Sequence, residues 1–131
     1  MFVRFNQYRP TPQKLENQSF MINFRLFSFN MMNSLTIFSL LEKNQSILSR
    51  YGVKQIGLFG SYVRNEQSDA SDIDLLVEFS RGKKSLHNLV SLADDLEKLF
   101  GKRVEIVTKE SLSPYIGPHI LREVQYASVA H

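Results

Sequence analysis

Hydrophobic residues follow regular spacings from Ser34 onward, and these spacings predict the secondary structure of the chain. Apolar residues three or four apart indicate helices, whereas short apolar runs rich in Val, Ile and Phe indicate strands. The predicted order is helix 34–50, strand 53–59, a helical turn at 62–66, strand 72–79, helix 85–100, strand 103–108 and helix 118–127. This order predicts an α/β (α+β) domain with a small mixed β-sheet flanked by helices.

Polar residues and glycines mark where two of these helices should begin and end. Ser34 and Ser85 precede the apolar helical stripes, and a serine hydroxyl suits the N-cap position. Gly52 and Gly101 follow the same two helices, where a residue in the left-handed conformation commonly ends a helix. The boundaries of both helices are therefore predicted independently of the hydrophobic pattern.

The composition fits one folded domain with a short appendage. The chain has 131 residues, of which 43% are hydrophobic and 22% are charged, and it contains no cysteine. A domain of this length can bury a hydrophobic core without disulfides. The lack of cysteine excludes a thiol nucleophile and a thiolate metal site, and it agrees with a cytoplasmic location. No apolar run reaches the length of a membrane span, so no membrane association is expected.

The net charge of +3 lies in the first quarter of the chain. Residues 1–33 hold four basic residues and one acidic residue, whereas residues 34–131 hold twelve of each. The sequence pI of about 9.3 therefore does not describe the regular part of the chain. A nucleic-acid-binding domain would carry a basic excess on its own surface, so direct contact with nucleic acid is not expected.

Residues 1–33 are interpreted as a basic, aromatic N-terminal extension, and residues 34–131 as the domain itself. The extension contains seven of the fifteen aromatic residues but follows neither a helical nor a strand period. It is either a loosely attached tail, or a strip that docks on a partner or on a second copy of the chain. The pattern alone leaves both interpretations open.

Three acidic residues on the second and third predicted strands are candidates for metal chemistry. Asp72 and Asp74 are two residues apart, so on a strand they project from the same face. Glu105 alternates with apolar residues on the third strand, and it would join them if the two strands are neighbours. Carboxylate ligands favour hard cations such as magnesium or manganese. A pair of divalent ions held in this way is the apparatus of phosphoryl and nucleotidyl transfer.

A Gly-Ser pair between the first two strands predicts a site for phosphate. Gly60 would let a phosphate approach the backbone closely, and the amides that open a helix at Ser61 favour an anion. Arg64, three residues later, could bind a phosphate with two hydrogen bonds. The alternative for Arg64 is a structural ion pair with Glu66, Asp69 or a carboxylate of the site.

The two motifs together, GSYVR at 60–64 and SDIDLLVEF at 71–79, resemble the signature of the DNA polymerase β-type nucleotidyltransferase superfamily. More narrowly, the chain resembles the minimal, single-domain prokaryotic members of that superfamily, the MNT-type antitoxins, over residues 34–127. The fold implied by the resemblance is the polymerase β-type nucleotidyltransferase fold.

The resemblance also implies a role for each candidate residue. It implies that Gly60 and Ser61 bind the triphosphate of ATP, the substrate, and that Asp72 and Asp74 hold two Mg²⁺ ions. A third acidic residue of the family falls on Glu105, where many members have aspartate. Glutamate is one methylene longer, which leaves open whether Glu105 is a metal ligand or a base.

The reaction implied by the resemblance is protein AMPylation. Members are often encoded beside helical HEPN-domain ribonuclease toxins, and the implied reaction moves AMP from ATP to a tyrosine of the toxin. A tight hetero-oligomer with the toxin is also implied. Two alternatives remain: an antitoxin that binds its partner without essential catalysis, and a nucleotidyltransferase that acts on a small molecule such as an aminoglycoside.

Overall fold

A five-stranded mixed sheet forms the centre of the structure, a computed structural model that describes residues 2–4 and 32–130. Its strands are β1 (Phe2–Arg4), β2 (Val53–Phe59), β3 (Ile73–Phe79), β4 (Val104–Thr108) and β5 (Gln125–Tyr126). Their order across the sheet is β1-β4-β3-β2-β5, with β3 and β4 parallel and every other neighbouring pair antiparallel. The predicted α+β class with a mixed sheet is confirmed.

Helices cover both faces of the sheet and connect its strands. They are α1 (Ser34–Lys43), α2 (Gln45–Arg50), α3 (Ser61–Arg64), α4 (Leu86–Phe100) and α5 (Gly117–Glu123), with a short 3₁₀ helix at Lys109–Ser111. Within the described ranges, none of these helices is long and apolar enough to cross a membrane.

The predicted single helix over 34–50 is wrong, because the chain breaks at Asn44 into α1 and α2. Asn44 has φ −123° and ψ 42°, and its side-chain amide donates to the carbonyl of Leu40 at 2.8 Å. A side chain that bonds nearby backbone carbonyls competes with helical geometry. The predicted cap was also one residue late: the Oδ1 of Asn33, not the hydroxyl of Ser34, accepts a hydrogen bond from the amide of Thr36 at 3.0 Å.

Helix α4 begins and ends where the sequence predicts. The hydroxyl of Ser85 accepts from the amide of Asn88 at 3.0 Å, and Gly101 ends the helix with φ 66°. Five residues of the predicted apolar stripe are buried, namely Leu89, Leu92, Ala93, Leu96 and Phe100. Leu86 and Val90, two other apolar residues of this helix, are 60% and 40% exposed. Both lie at the edges of the helical face that contacts the sheet.

The predicted last helix over 118–127 is wrong in its final residues. Helix α5 stops at Glu123, Val124 is extended, and β5 pairs with β2, matching Tyr126 with Gly57. A side chain on Gly57 would overlap with those of Val124 and Tyr126, so the glycine makes room for the last strand. The unpaired edge of β2 gains hydrogen bonds in this way, which outweighs the helical pattern of the sequence.

Two hydrophobic clusters lie on opposite faces of the sheet. The larger contains residues of β2, β3 and β4 packed against α1, α2 and α4. The smaller contains Phe59, Leu76, Val107 and Ile120, and therefore lies between the sheet and α5. Side chains alternate along a strand, so residues two positions apart lie on the same face. Asp74 and Glu105 precede Leu76 and Val107 by two positions, and they therefore lie on the face of the sheet that α5 covers.

The N-terminal strand adds an edge to the sheet beside β4. It is antiparallel to β4, with Phe2 opposite Val107 and Arg4 opposite Glu105. Residue 1 and residues 5–31 of the proposed 1–33 extension lie outside the described residues. Its two interpretations, a tail or a docking strip, therefore stay predictions.

Candidate active site

The predicted site residues lie at one end of the sheet, where three strands meet. Strand β2 ends at Phe59, which pairs with Asp74 near the start of the antiparallel strand β3. Strand β4 is parallel to β3, and its register places Glu105 beside Asp74. The expectation that the strands carrying Asp74 and Glu105 are neighbours is confirmed. Asp74 is half-buried and Glu105 is only 8% exposed, although an isolated strand glutamate is usually exposed.

Gly60 brings the phosphate motif into contact with the first of these carboxylates. It has φ 82° and ψ −153°, a conformation that is essentially restricted to glycine. A Cβ atom built on Gly60 would overlap with the carboxylate of Asp74. The glycine is therefore needed for two reasons, its backbone conformation and the space that Asp74 fills.

Ser61 opens α3, the short helix that follows this glycine. The amides of Val63 and Arg64 both donate to the carbonyl of Gly60, at 3.1 and 3.2 Å. The amides of Ser61 and Tyr62 precede these first helical hydrogen bonds, as the opening amides of a helix do. The ring of Tyr62 is 2% exposed and fixes α3 to the main core. Burial raises the pKa of Tyr62, and so, to a smaller extent, do the nearby charges of Asp69 and Asp72.

Asp72 lies one residue before β3, and its carboxylate is directed to Arg103. The distance from its Oδ1 to the Nε of Arg103 is 3.5 Å, and both side chains are partly exposed. Within the described ranges, no three Asp, Glu, His or Cys side chains come together as a group that could hold a metal ion. Carboxylates repel one another when no cation lies between them, and Arg103 supplies the positive charge beside Asp72.

The donor set nevertheless has the chemistry that a hard cation requires. Asp74 and Glu105 are adjacent in register, and Asp72 is two residues from Asp74. All three provide carboxylate oxygens, which suit Mg²⁺. The residues therefore fit a magnesium site by donor type and by strand position.

Arg64 forms ion pairs on the outer side of α3. Its Nε lies 3.5 Å from an oxygen of Glu66, one of the structural partners considered for it from the sequence. Its Nη1 lies 3.0 and 3.1 Å from the two oxygens of Glu123, at the end of α5. The hydrogen bond and the charge of Glu123 raise the pKa of Arg64 above its usual range, with a smaller contribution from Glu66.

Glu123 is a residue of this region that the sequence did not indicate. Besides Arg64, it accepts a hydrogen bond from the amide of Gly60 at 3.0 Å. The contact joins positions 63 residues apart, so no local motif contains both. The only signal in the sequence was that Arg64 needed an acidic partner, and nearer acidic residues satisfied that requirement equally well.

A glycine-serine loop beside carboxylates at the ends of paired strands is the arrangement expected from the two motifs of a nucleotidyltransferase, and a family comparison agrees. The model of the nucleotidyltransferase domain family matches residues 40–128. The chain belongs to this family, and the resemblance seen in its two motifs is confirmed. Protein adenylyltransferase MntA of Thermococcus cleftensis is 45% identical over 94 residues, which are 66% of this chain and 94% of the relative.

Solved structures give the same assignment of the fold. One described as a minimal nucleotidyltransferase is 36% identical, with a TM-score of 0.63. The match covers 72% of this chain and 96% of the solved chain. A toxin-antitoxin complex with AMP-PNP includes a chain that is 22% identical, with a TM-score of 0.58, covering 72% of this chain and 74% of its own. At that level of identity the second likeness concerns the fold alone.

Proposed function

We propose that this nucleotidyltransferase transfers AMP from ATP to a hydroxyl group of a partner protein and so acts as an antitoxin. The contact between Gly60 and Asp74 carries the proposal, because it joins the expected triphosphate loop to an expected metal ligand. The similarity to a protein adenylyltransferase over nearly the whole of that relative supports a protein as acceptor.

The substrate of this reaction is ATP, bound through its phosphates. Gly60 and Ser61 supply a backbone that phosphates can approach, and Arg64 lies one helical turn further along α3. Asp72 and Asp74 would hold two Mg²⁺ ions, with Glu105 beside Asp74. When bound, the ions acidify the attacking hydroxyl and stabilise charge on the triphosphate. The AMP-PNP in a complex of the same fold supports ATP as the substrate class.

The proposed reaction is a substitution at the α-phosphorus of ATP. The acceptor hydroxyl oxygen forms a bond to the α-phosphorus, the bond from that phosphorus to the bridging α,β-oxygen breaks, and pyrophosphate leaves. The proton of the hydroxyl passes to a base, which we assign to Glu105, because its buried carboxylate lies in register with Asp74. The hydroxyl must reach this end of the sheet for the reaction to occur.

The proposed acceptor is a tyrosine of a cognate HEPN-domain ribonuclease toxin in the cytoplasm. A protein that modifies its toxin must bind it, so a hetero-oligomer of the two is expected. The toxin-antitoxin complex of the same fold supports a toxin as partner. A tyrosine ring can reach further into a site than serine or threonine, which suits carboxylates that are half-buried or buried.

The test uses ATP labelled at the α-phosphate, magnesium and the product of the neighbouring gene. We expect label on that protein with the wild-type enzyme and none with the double variant Asp72→Asn, Asp74→Asn. No label with the wild type, while it still neutralises the toxin, would contradict the proposal.

One observation favours a second candidate, an antitoxin that masks its partner by binding alone. Asp72 is paired with Arg103 and does not complete a metal-binding group within the described residues. The same double variant separates the two candidates in a growth assay. Loss of neutralisation with the complex still formed supports catalysis, and full neutralisation supports masking.

A further inference from the structure

A carboxylate from the far end of the chain holds both sides of the candidate phosphate loop. The Oε1 of Glu123 accepts from the amide of Gly60 at 3.0 Å and from the Nη1 of Arg64 at 3.1 Å. Its Oε2 accepts from the same Nη1 at 3.0 Å. Gly60 precedes α3 and Arg64 is its last residue, so one side chain connects the two ends of this helix.

The position of Glu123 is fixed by structure on both sides of it. Before it, Ile120 of α5 is buried in the smaller hydrophobic cluster. After it, Val124 packs against that cluster, and Gln125 and Tyr126 pair with β2. The side chain is 25% exposed, so its carboxylate is partly shielded from water. Because the carboxylate of Glu123 has a fixed position, it can also fix the positions of its partners, Gly60 and Arg64.

We propose that Glu123 is a positioning residue for nucleotide binding, which fixes the peptide of Gly60 and the guanidinium of Arg64 for the triphosphate. This inference rests on the proposed function, in which Gly60, Ser61 and Arg64 bind the phosphates of ATP. The amide that Glu123 holds belongs to the residue that contacts Asp74. The hydrogen bond from Gly60 to Glu123 therefore fixes a residue that belongs to the triphosphate loop and also lies against the carboxylate of Asp74.

Charge is the property of Glu123 that the positioning role requires. A carboxylate makes stronger hydrogen bonds to a guanidinium than an amide does, and both of its oxygens are acceptors. Glutamine at this position keeps the length and one acceptor oxygen for Gly60 but loses the ionic contact with Arg64. Glu123→Gln therefore tests the charge while leaving the shape of the side chain nearly unchanged.

Glu78 provides a matched control for that variant. Its carboxylate is 19% exposed, and it pairs with Lys54 and Lys109 at 3.2 and 3.1 Å. It lies near the opposite end of β3 from Asp74. Glu78→Gln removes a similar charge with similar ion pairs from the same sheet, away from the phosphate loop. Any general effect of losing a partly exposed ion pair should appear in both variants.

The experiment measures binding of a non-hydrolysable ATP analogue with magnesium by calorimetry, and thermal unfolding of each variant without nucleotide. We expect Glu123→Gln to bind the analogue about five- to thirtyfold more weakly, which corresponds to about 1–2 kcal/mol. Glu78→Gln should bind like the wild type, even where its unfolding temperature falls as far. Glu123→Asp, which keeps the charge, should recover part of the affinity.

Each other outcome contradicts the inference in its own way. Equal affinity of Glu123→Gln and the wild type would make Glu123 a structural residue only. Tighter binding by Glu123→Gln would show that its carboxylate competes with phosphate for the same donors. If the wild type does not bind the analogue, the proposed function fails together with the inference, and this result is distinguishable from the other two.

Discussion

Replacing Gly60 with alanine tests the geometry at the centre of the site. Gly60 has φ 82° and ψ −153°, and an added Cβ atom would overlap with the Asp74 carboxylate. A residue other than glycine in this conformation costs about 1–3 kcal/mol in strain. The overlap comes on top of the strain, so we expect the free energy of unfolding to fall by at least that amount.

The rate of AMP transfer should fall by more than the loss of folded protein explains, because Asp74 has to move to make room for the new methyl group. A displacement of roughly 1 Å in a catalytic group can lower the rate by about two orders of magnitude. The two quantities are measured separately, by denaturant unfolding and by transfer of label from ATP under conditions where the variant is fully folded. The expected signature is a folded protein with little activity.

Gly101→Ala is the matched control, since it also places alanine at a positive φ. Gly101 has φ 66°, and a Cβ atom there would meet nothing within 4 Å. It should cost about 1–2 kcal/mol of left-handed strain and leave the rate of transfer unchanged. If Gly60→Ala matched Gly101→Ala in both stability and rate, the contact between Gly60 and Asp74 would be refuted as a feature of the working site.

Three further predictions concern the fold that supports the site. Leu75→Ala, at a fully buried position of β3, should lower the free energy of unfolding by about 2–5 kcal/mol in a denaturant titration. Ser85→Ala removes the hydroxyl that accepts from Asn88 and should cost about 0.5–2 kcal/mol, whereas no measurable loss would contradict the assigned cap. The hydrogen bond from Lys109 lowers the pKa of Glu78 from its usual 4.5, with a smaller effect of Lys54. Because the folded-state pKa is lower than the unfolded-state pKa, the stabilisation by Glu78 is fully present above the unfolded-state value and is lost as pH falls through the folded-state value. The unfolding free energies of the wild type and Glu78→Gln should therefore differ at about pH 6, and the difference should shrink as the solution is acidified below 4.5.

Much of the site was predictable because its chemistry lies in three short segments with clear boundaries. Asp74 and Glu105 each occur in an apolar strand, and the pairing of these strands places them side by side. Gly60 follows a strand directly and precedes a helix, where a close approach of a ligand to the backbone is expected. Each motif is contained within fewer than ten neighbouring residues, whereas the pairing of β3 with β4 joins residues that are far apart in the chain.

The errors near the site have a different origin, in contacts between distant parts of the chain. The helical pattern of residues 118–127 gave way at Val124, because the free edge of β2 and the absence of a side chain on Gly57 favour another strand. The contact of Glu123 with Gly60 depends on that strand, and the pairing of Asp72 with Arg103 depends on the turn before β4. Local periodicity contains no information about such pairs.

Transfer from ATP labelled at either the α- or the γ-phosphate tests the central claim most directly. The enzyme, its neighbouring gene product and magnesium are incubated with each labelled form in parallel. If the protein transfers AMP, the α-label is transferred to the partner protein and the γ-label leaves with pyrophosphate. Retention of the γ-label on the partner, or of neither label, would contradict nucleotidyl transfer by the site that Gly60, Asp74 and Glu105 form.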